Sequence, residues 1–350
     1  MSTVLKHRQF WPAVILAALL LLNLLFTDSF LTIEMKGGHL YGSLIDIVRF
    51  GAPLILVALG MTLVIATSGI DLSVGSVVAI SGALACLQIS GLENANSVGG
   101  VLSAVGVALL LSLALGAWNG LLVAGIGIQP IIATLILMVA GRGVAQLITG
   151  GQVINVNSSP YELIGGGYWL TLPFGIFLVV AVLGLTAFLT RRLALGLLIE
   201  SIGGNAEASR LAGVRSRGLI ILAYAFCGLC AGIAGLMISS NVSSADGNNA
   251  GLWIELDAIL AVVIGGTSLV GGRFSLGGTV LGALIIQTLA TTIYSIGVPP
   301  ETTLLFKALV VTIVCLLQSP AFRAKAFHRR QRKQAGAPGQ AVEEKAKVPA

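Results

Sequence analysis

Ten long apolar stretches, separated by short polar connections, constrain this chain more than any other feature of its sequence. A membrane-spanning helix needs about 20 predominantly apolar residues, and each stretch comes close to that length. Only 10% of the residues are charged, against about 25% in soluble globular domains. The sequence therefore predicts an all-α polytopic membrane protein. The predicted spans are residues 10–27, 48–67, 71–90, 98–124, 130–149, 169–190, 218–240, 254–270, 276–296 and 303–319.

The first apolar stretch follows Lys6 and Arg8 and could also be read as a secretory signal peptide. Residues 27–30 offer no small-residue cleavage site, and further apolar stretches follow. We therefore interpret residues 10–27 as the first span.

The distribution of lysine and arginine predicts the orientation, because short cytoplasmic loops are enriched in these residues. With a cytoplasmic N-terminus, the outer loops hold only Lys36, Arg49 and Lys307. The inner side then holds Lys6, Arg8, five arginines within residues 191–217, Arg273 and the basic residues of 323–333. The sequence thus predicts a cytoplasmic N-terminus (1–9), a transmembrane domain (10–320) with a cytoplasmic loop (191–217), and a basic, disordered cytoplasmic tail (321–350).

Several function classes are disfavoured by what the sequence lacks. No glycine is followed by lysine, so the chain has no P-loop for nucleotide phosphates. The three histidines lie outside the spans, and intramembrane carboxylates are few, which disfavours an ion-coupled carrier. Cys227 and Cys230 form a CxxC motif within an apolar stretch that lacks partner ligands, so we interpret them as packing residues. We expect no enzymatic activity, no cofactor and no bound metal.

Glycine is abundant, with 45 residues, although it is unfavourable in isolated helices. In membranes, small residues four positions apart let two helices approach closely. Such pairs are Gly116/Gly120, Gly228/Gly232 and Gly278/Gly282. They predict tightly packed helix pairs.

Polar residues at membrane depth are the candidates for a translocation path, because burying them in lipid is costly. The candidates are Asp71, Asn119, Gln129, Arg142, Gln146, Asn249 and Asp257. Each has a structural alternative. Arg142 could line the path or pair with protein, and Asp71 is better explained as a helix cap. Asp257 and its neighbour Glu255 fit a solvated outer mouth better than direct substrate contact, and the amides could bond across helices.

The loop 191–217 is more than a positively charged connection. Apolar and polar residues alternate between Leu198 and Leu211 and are interrupted by Gly203, Gly204 and Asn205. This pattern predicts two short helices with a tight turn on the inner surface, and it favours a docking element for a cytoplasmic partner.

Four stretches give the chain a resemblance to a known family. They are Gly60–Gly75 (GMTLVIATSGIDLSVG), Gln129–Thr134 (QPIIAT), Glu200–Gly213 (ESIGGNAEASRLAG) and Glu255–Arg273 (ELDAILAVVIGGTSLVGGR). The chain resembles the permease subunits of ribose-type sugar ABC importers over residues ~10 to ~320, in the family's order and spacing. Within that family it is most similar to galactofuranose importer permeases, through residues 135–149 (LILMVAGRGVAQLIT) and 248–253 (NNAGLW).

The resemblance implies a ten-helix core related to that of the vitamin B12 importer, in the bacterial inner membrane. It implies a dimer of permeases, two cytoplasmic ATPase subunits and a periplasmic sugar-binding protein as partners. Nucleic acid is not expected as a partner, because the basic residues lie at the ends of apolar stretches and in the C-terminal tail. The cytoplasmic coupling helix would fall in the loop 191–217, on Glu200, Gly203, Gly204, Asn205, Ala208 and Gly213. The expected function is import of a monosaccharide, galactofuranose before ribose or another sugar, driven by ATP hydrolysed on a separate subunit.

Overall fold

The computed structural model describes residues 10–26 and 30–295, together with residues 305, 308, 309 and 312. The predictions for residues 1–9 and 321–350, and for nearly all of the predicted span 303–319, lie outside the described residues.

The described part of the chain is mostly helical and contains twelve α-helices. They are α1 (Phe10–Phe26), α2 (Ser43–Ala66), α3 (Val74–Ser90), α4 (Val98–Gly120), α5 (Pro130–Thr149), α6 (Ser159–Gly165), α7 (Phe174–Arg191), α8 (Leu195–Gly204), α9 (Ala206–Leu211), α10 (Ser216–Asn241), α11 (Ile254–Ile264) and α12 (Leu276–Ser295). A π-helical turn, Leu121–Ile126, prolongs α4. Six of these helices are long and apolar enough to cross a membrane: α2, α4 with its π-helical turn, α5, α7, α10 and α12.

Between residues 30 and 295, six short strands form three antiparallel ladders in the connections between helices. The strands are β1 (Glu34–Lys36), β2 (His39–Tyr41), β3 (Ile154–Asn155), β4 (Tyr168–Trp169), β5 (Leu172–Pro173) and β6 (Ser244–Ala245). β1 pairs with β2, β4 pairs with β5, and β3 pairs with β6. The last pair joins the connection after α5 to the connection after α10, and both of these connections are predicted to lie outside the membrane.

Nine of the ten predicted spans correspond to a helix, but three differ from it by five residues or more at one end. The span predicted to begin at 48 begins at Ser43. The span predicted at 254–270 is wrong in length, because α11 ends at Ile264 and is only 11 residues long. Such a helix is about 16 Å long, about half of a hydrocarbon core of about 30 Å, so in the predicted topology residues 265–270 would complete the crossing as non-helical backbone packed against protein. Gly266 follows with a φ of +87°, a left-handed conformation that ends the helix. The span predicted to begin at 169 begins at Phe174, because the β4–β5 hairpin occupies the residues before it.

Helix α10 is the centre of the bundle and packs against α2, α3 and α4. Glycines make the contact with α4 possible. A Cβ at Gly116 would overlap the backbone of α10 at Tyr224, and a Cβ at Gly228 would overlap the backbone of α4 at Ser112. The tight packing predicted from these small residues is therefore confirmed.

Two other predictions about packing are also confirmed. Cys227 and Cys230 are buried, have free thiols and lie against Gly60 of α2. On the other side of the bundle, Gly278 and Gly282 of α12 face the backbone of α11, where a Cβ would overlap the carbonyl oxygens of Gly265 and Ala261.

Candidate functional site

Two short helices, α8 and α9, occupy the loop that was predicted to be a docking element. They are joined through Asn205, whose backbone is extended with a φ of −162°. The Asn205 side-chain oxygen accepts a hydrogen bond from the backbone N–H of Ala208 at 2.9 Å, which makes Asn205 the N-cap of α9. The sequence pattern therefore identified both helices and their turn.

The surface of α9 is open to solvent. Glu207 and Arg210 form an exposed ion pair one helical turn apart, with 3.1 Å between Glu207 Oε2 and Arg210 Nε. The hydrogen bond and the positive charge of Arg210 lower the pKa of Glu207. Beside this pair Leu211 leaves 77% of its surface exposed. The exposed face of α9 thus combines charge with an apolar side chain.

Gly203 anchors the end of α8 to the rest of the protein. A Cβ at this position would overlap the carbonyl oxygen of Ala66, the last residue of α2, and the backbone nitrogen of Gly272. These two groups are themselves joined, since the Gly272 N–H donates to the Ala66 carbonyl at 3.0 Å. No side chain other than hydrogen fits between α8, α2 and the connection that precedes α12.

Ser68 completes this three-way junction. Its hydroxyl lies 3.0 Å from the carbonyl oxygen of Gly203 and 2.8 Å from that of Val270. The loop 191–217, the C-terminal end of α2 and residues 268–273 are therefore held together by backbone contacts and one shared hydroxyl. We call this contact set the α8 junction.

The six residues that the resemblance placed in the coupling helix have different roles in the structure. Gly203 belongs to the α8 junction, and Glu200 is partly exposed. The remaining four, Gly204, Asn205, Ala208 and Gly213, are exposed. A Cβ at Gly204 would meet no atom within 4 Å. Only Gly203 is thus required for internal packing, while the exposed positions are available to a partner.

Asp71 and Asn119, two of the path candidates, meet in a buried cluster next to the α8 junction. Asp71 Oδ1 accepts hydrogen bonds from the backbone N–H of Ser73 at 3.0 Å and from its hydroxyl at 2.6 Å. Asn119 Nδ2 donates to the Ser73 hydroxyl at 2.8 Å and lies 3.5 Å from Asp71 Oδ1. Asp71 is 1% exposed and Asn119 is fully buried. The N-cap of α3 is Ser73, so Asp71 is not itself the cap; it binds the cap residue through the local turn that precedes the helix.

The same connection is held from two other helices. The carbonyl oxygen of Ile70 lies 3.4 Å from the Tyr224 hydroxyl of α10 and 3.3 Å from the Thr134 hydroxyl of α5. Sequence reasoning missed the roles of Tyr224 and Thr134. Thr134 ends the QPIIAT stretch that carried the family resemblance, but nothing in the sequence indicated that its hydroxyl would reach a carbonyl 64 residues away.

Arg142 of α5 binds the connection between β6 and α11, which is predicted to lie on the side of the membrane opposite to the α8 junction. Its Nη1 donates to the carbonyl oxygen of Ala250 at 2.6 Å and lies 3.5 Å from that of Gly247. Asp246 organises the same connection by accepting hydrogen bonds from the backbone and side chain of Asn249, and these hydrogen bonds lower the pKa of Asp246. Of the two interpretations of Arg142, the contacts favour pairing with protein.

Glu255 does not belong to a solvated outer mouth, so that interpretation is wrong for this residue. It is 3% exposed and packs over Gly75 of α3, where a Cβ would overlap its carboxylate oxygen. The absence of a side chain at Gly75 makes room for it. Because Glu255 and Asp257 are two positions apart on α11, they point in different directions, and Asp257 remains partly exposed.

Asn249 and Asp257 meet at a cleft of about 270 Å³ between α2, α10, α11 and α12. We call it the α2–α11 cleft. It is lined by Phe50, Pro53, Leu54, Ile238, Asn249, Gly251, Leu252, Ile254, Asp257, Ile286, Gln287 and Ala290. The last two path candidates, Gln129 and Gln146, are exposed and line neither the cleft nor the Asp71 cluster. The predicted path residues therefore fall into separate groups.

Comparison with known proteins identifies the family. Residues 43–315 match the family described as branched-chain amino acid transport system / permease component. The chain belongs to this family of permeases. The matched range begins with α2 and includes the Asp71 cluster, the α8 junction and the α2–α11 cleft.

Curated relatives extend over nearly the whole chain. The galactofuranose transporter permease protein YtfT of Escherichia coli (strain K12) is 49% identical over 327 residues, which cover 92% of this chain and 94% of that protein. The fructose import permease protein FruF of Bifidobacterium longum (strain NCC 2705) is 39% identical, with 97% and 95% covered. The ribose import permease protein RbsC of Escherichia coli (strain K12) is 36% identical, with 91% and 98% covered. No solved structure matches the chain.

Proposed function

We propose that this chain is the permease subunit of an ATP-binding cassette importer that carries a monosaccharide into the cell across the bacterial inner membrane. Galactofuranose is the first candidate, because the relative named for that sugar shares 49% identity. The relatives at 39% and 36% identity are named for fructose and ribose. All three names specify a monosaccharide, which supports this substrate class; ribose or another sugar of the class is the alternative.

The α8 junction is the observation that carries this proposal. An element that receives force from a cytoplasmic ATPase needs an exposed contact face and a rigid connection to the transmembrane helices. The exposed surface of α9 meets the first requirement, and Gly203 packed against Ala66 and Gly272 meets the second. ATP would be hydrolysed on separate subunits docked on α8 and α9, and the permease itself would catalyse no reaction.

The contacts between connections support the proposed topology of ten spans with both termini in the cytoplasm. Residues 67–68, the loop 191–217 and residues 268–273, all predicted to lie inside, meet at the α8 junction. Connections predicted to lie outside also contact one another, as in the β3–β6 ladder and in the hydrogen bond from the Leu40 N–H to the Thr171 carbonyl. In the complete importer, two permeases would pair and a periplasmic sugar-binding protein would dock on the outer connections.

Replacing Gly204 by tryptophan tests the docking assignment. The added ring would project into solvent from the end of α8, so insertion and folding should be unchanged while the ATPase subunit is kept away. We expect sugar uptake in cells to fall about tenfold or more, equivalent to about 1.4 kcal/mol or more of lost interaction. The same substitution at Asn205 would also remove the N-cap of α9 and should be at least as damaging.

The matched control is Gly184→Trp, because Gly184 lies on the exposed side of α7 and a Cβ there also meets no atom within 4 Å. Co-purification of the ATPase subunit and uptake of radiolabelled sugar should both be lost in the Gly204 variant and retained in the control. Normal uptake by the Gly204 and Asn205 variants would contradict the docking assignment.

A further inference from the structure

The α2–α11 cleft has a partly polar lining, although it lies between apolar helices near their predicted outer ends. Phe50 lies about two helical turns inside the first residue of α2, which corresponds to about 10 Å. Asn249, Asp257 and Gln287 contribute polar groups to the lining. Two other clefts in the described part of the protein, one beside α4 and α7 and one beside α7 and α8, have linings that are almost entirely apolar. Those two suit lipid chains, and the α2–α11 cleft does not.

Gln287 indicates most clearly what kind of molecule the α2–α11 cleft can hold. It lies in the middle of α12, its stem packs against Gly51 of α2, and its side chain is partly exposed towards the cleft. Within the described residues, its amide makes no hydrogen bond to protein. A primary amide offers two donors and an acceptor, and leaving these without a partner at membrane depth is costly. Because Gln287 is partly exposed, either water or a polar solute in the cleft can bind this amide.

The chemistry of the lining narrows the occupant to a neutral polyhydroxylated ring. A carboxylate at Asp257 and an amide at Gln287 can accept from and donate to hydroxyl groups. The Arg49 guanidinium lies 5.5 Å from the centroid of the Phe50 ring, and because 50% of Phe50 is exposed, the rest of the ring can pack against the C–H face of a sugar. The volume of about 270 Å³ is close to the lower end, about 300 Å³, of pockets for small molecules.

The lining also argues against an amino acid, the substrate class in the description of the matched family. An α-amino acid carries a carboxylate, and a site that binds it in a membrane needs a cation or a helix N-terminus directed at that group. Among the described residues that line the cleft there is no lysine, arginine or histidine, and Asp257 is present. The nearby Arg49, with its guanidinium 5.5 Å from the Phe50 ring centroid, donates its hydrogen bonds to Tyr168, Gly166 and Asn241. A neutral sugar has no carboxylate, so it needs no cation in the lining and is not repelled by Asp257.

We propose that the α2–α11 cleft is a monosaccharide subsite, in which Asp257 and Gln287 bind hydroxyl groups and Phe50 packs against the ring. Sugar released on the outer side would occupy this subsite before it crosses the membrane. The inference rests on the proposed function and specifies where the permease itself contacts its substrate.

The test compares Gln287→Leu with Gln88→Leu. Gln88 is also partly buried, lies on α3 outside the cleft and makes no side-chain hydrogen bond to the described protein. Uptake of radiolabelled D-galactose, D-ribose and L-leucine would be measured in cells that express each variant with the ATPase and binding-protein subunits. We expect Gln287→Leu to reduce sugar uptake roughly five- to tenfold through a higher KM, since it removes hydrogen bonds to substrate. Gln88→Leu should leave sugar uptake unchanged, and L-leucine should not be carried.

A second pair of variants separates substrate contact from folding. Phe50→Tyr retains an aromatic face and should keep most of the uptake, whereas Phe50→Leu should raise KM for sugar without lowering the amount of protein in the membrane. Equal KM values in Gln287→Leu, Phe50→Leu and the unaltered protein would overturn the subsite while leaving the sugar permease intact. If the unaltered protein carried no sugar, the proposed function would fail first, and the subsite would fail with it.

Discussion

Replacing Gly203 by alanine is expected to abolish ATP-driven uptake and to destabilise the protein, whereas Gly204→Ala should leave both properties near those of the unaltered chain. The added methyl group at Gly203 would overlap the Ala66 carbonyl and the Gly272 N–H. These are backbone atoms, so they cannot move aside by rotating a side chain. Inserting one carbon into a well-packed site costs about 1–3 kcal/mol, and here it would also break the Gly272–Ala66 hydrogen bond.

The adjacent glycine provides the control for this experiment. Gly204 ends the same helix, and a Cβ there would meet nothing within 4 Å. The readouts are the thermal unfolding temperature of the purified permease in detergent and the uptake rate in cells. If Gly203→Ala and Gly204→Ala had the same unfolding temperature and uptake rate, Gly203 would not be packed against Ala66 and Gly272, and the α8 junction would be contradicted.

The second large effect is expected at Asp71. Asp71→Ala would leave the Ser73 N–H and hydroxyl without their acceptor in a buried site, whereas the Asn119 amide would keep the Ser73 hydroxyl as its acceptor. Each unsatisfied buried donor costs about 1–3 kcal/mol, so we expect a loss of about 2 kcal/mol or more in the free energy of unfolding. Because the connection 67–73 follows directly on the α8 junction, uptake should fall with stability. Thermal unfolding and uptake measured on the same preparations would check both effects.

Asp71→Asn separates the hydrogen-bonding role of this residue from its charge. An asparagine retains one oxygen that can accept from Ser73, so this variant should keep most of the stability and uptake that alanine loses. If Asp71→Asn abolished uptake as completely as Asp71→Ala, the negative charge itself would be required. Such a result would contradict the positioning role and would favour a proton-coupled carrier.

The helical body of the protein could be predicted because membrane burial leaves a strong signal in sequence. Apolar stretches gave nine helices, and glycines spaced four apart, such as Gly116 and Gly120, indicated where helices touch. The length of α11 could not be predicted in the same way. Counting apolar residues does not detect a helix end at a glycine, whereas the left-handed backbone of Gly266 ends α11.

The candidate site was predictable where its signal is local and unpredictable where it depends on tertiary contacts. The N-cap at Asn205 and the two short helices follow from a pattern within a few residues. Arg142 binds carbonyl groups of a connection more than 100 residues away, and a carbonyl has no sequence signature. Glu255 was expected at a solvated mouth because it lies near the outer end of a predicted span, but the space over Gly75 accommodates its carboxylate inside the protein.

The asparagine and glutamine side chains also lie in environments that depend on tertiary contacts and that the sequence does not predict. Gln129 and Gln146 are exposed, Asn119 is buried beside Asp71, and Gln287 faces the α2–α11 cleft. Hydropathy detects that each is polar in an apolar stretch, but only the packing of neighbouring helices decides which of them faces a space that a solute can enter.

The central claim is that sugar moves through this chain at the expense of ATP hydrolysed on another subunit. The most direct measurement is uptake of radiolabelled D-galactose into proteoliposomes that contain the permease, its ATPase subunits and the sugar-binding protein. We predict accumulation that requires ATP and a catalytically active ATPase subunit and that is unchanged by a protonophore. Uptake that persists without the ATPase and collapses when the protonophore is added would contradict this account.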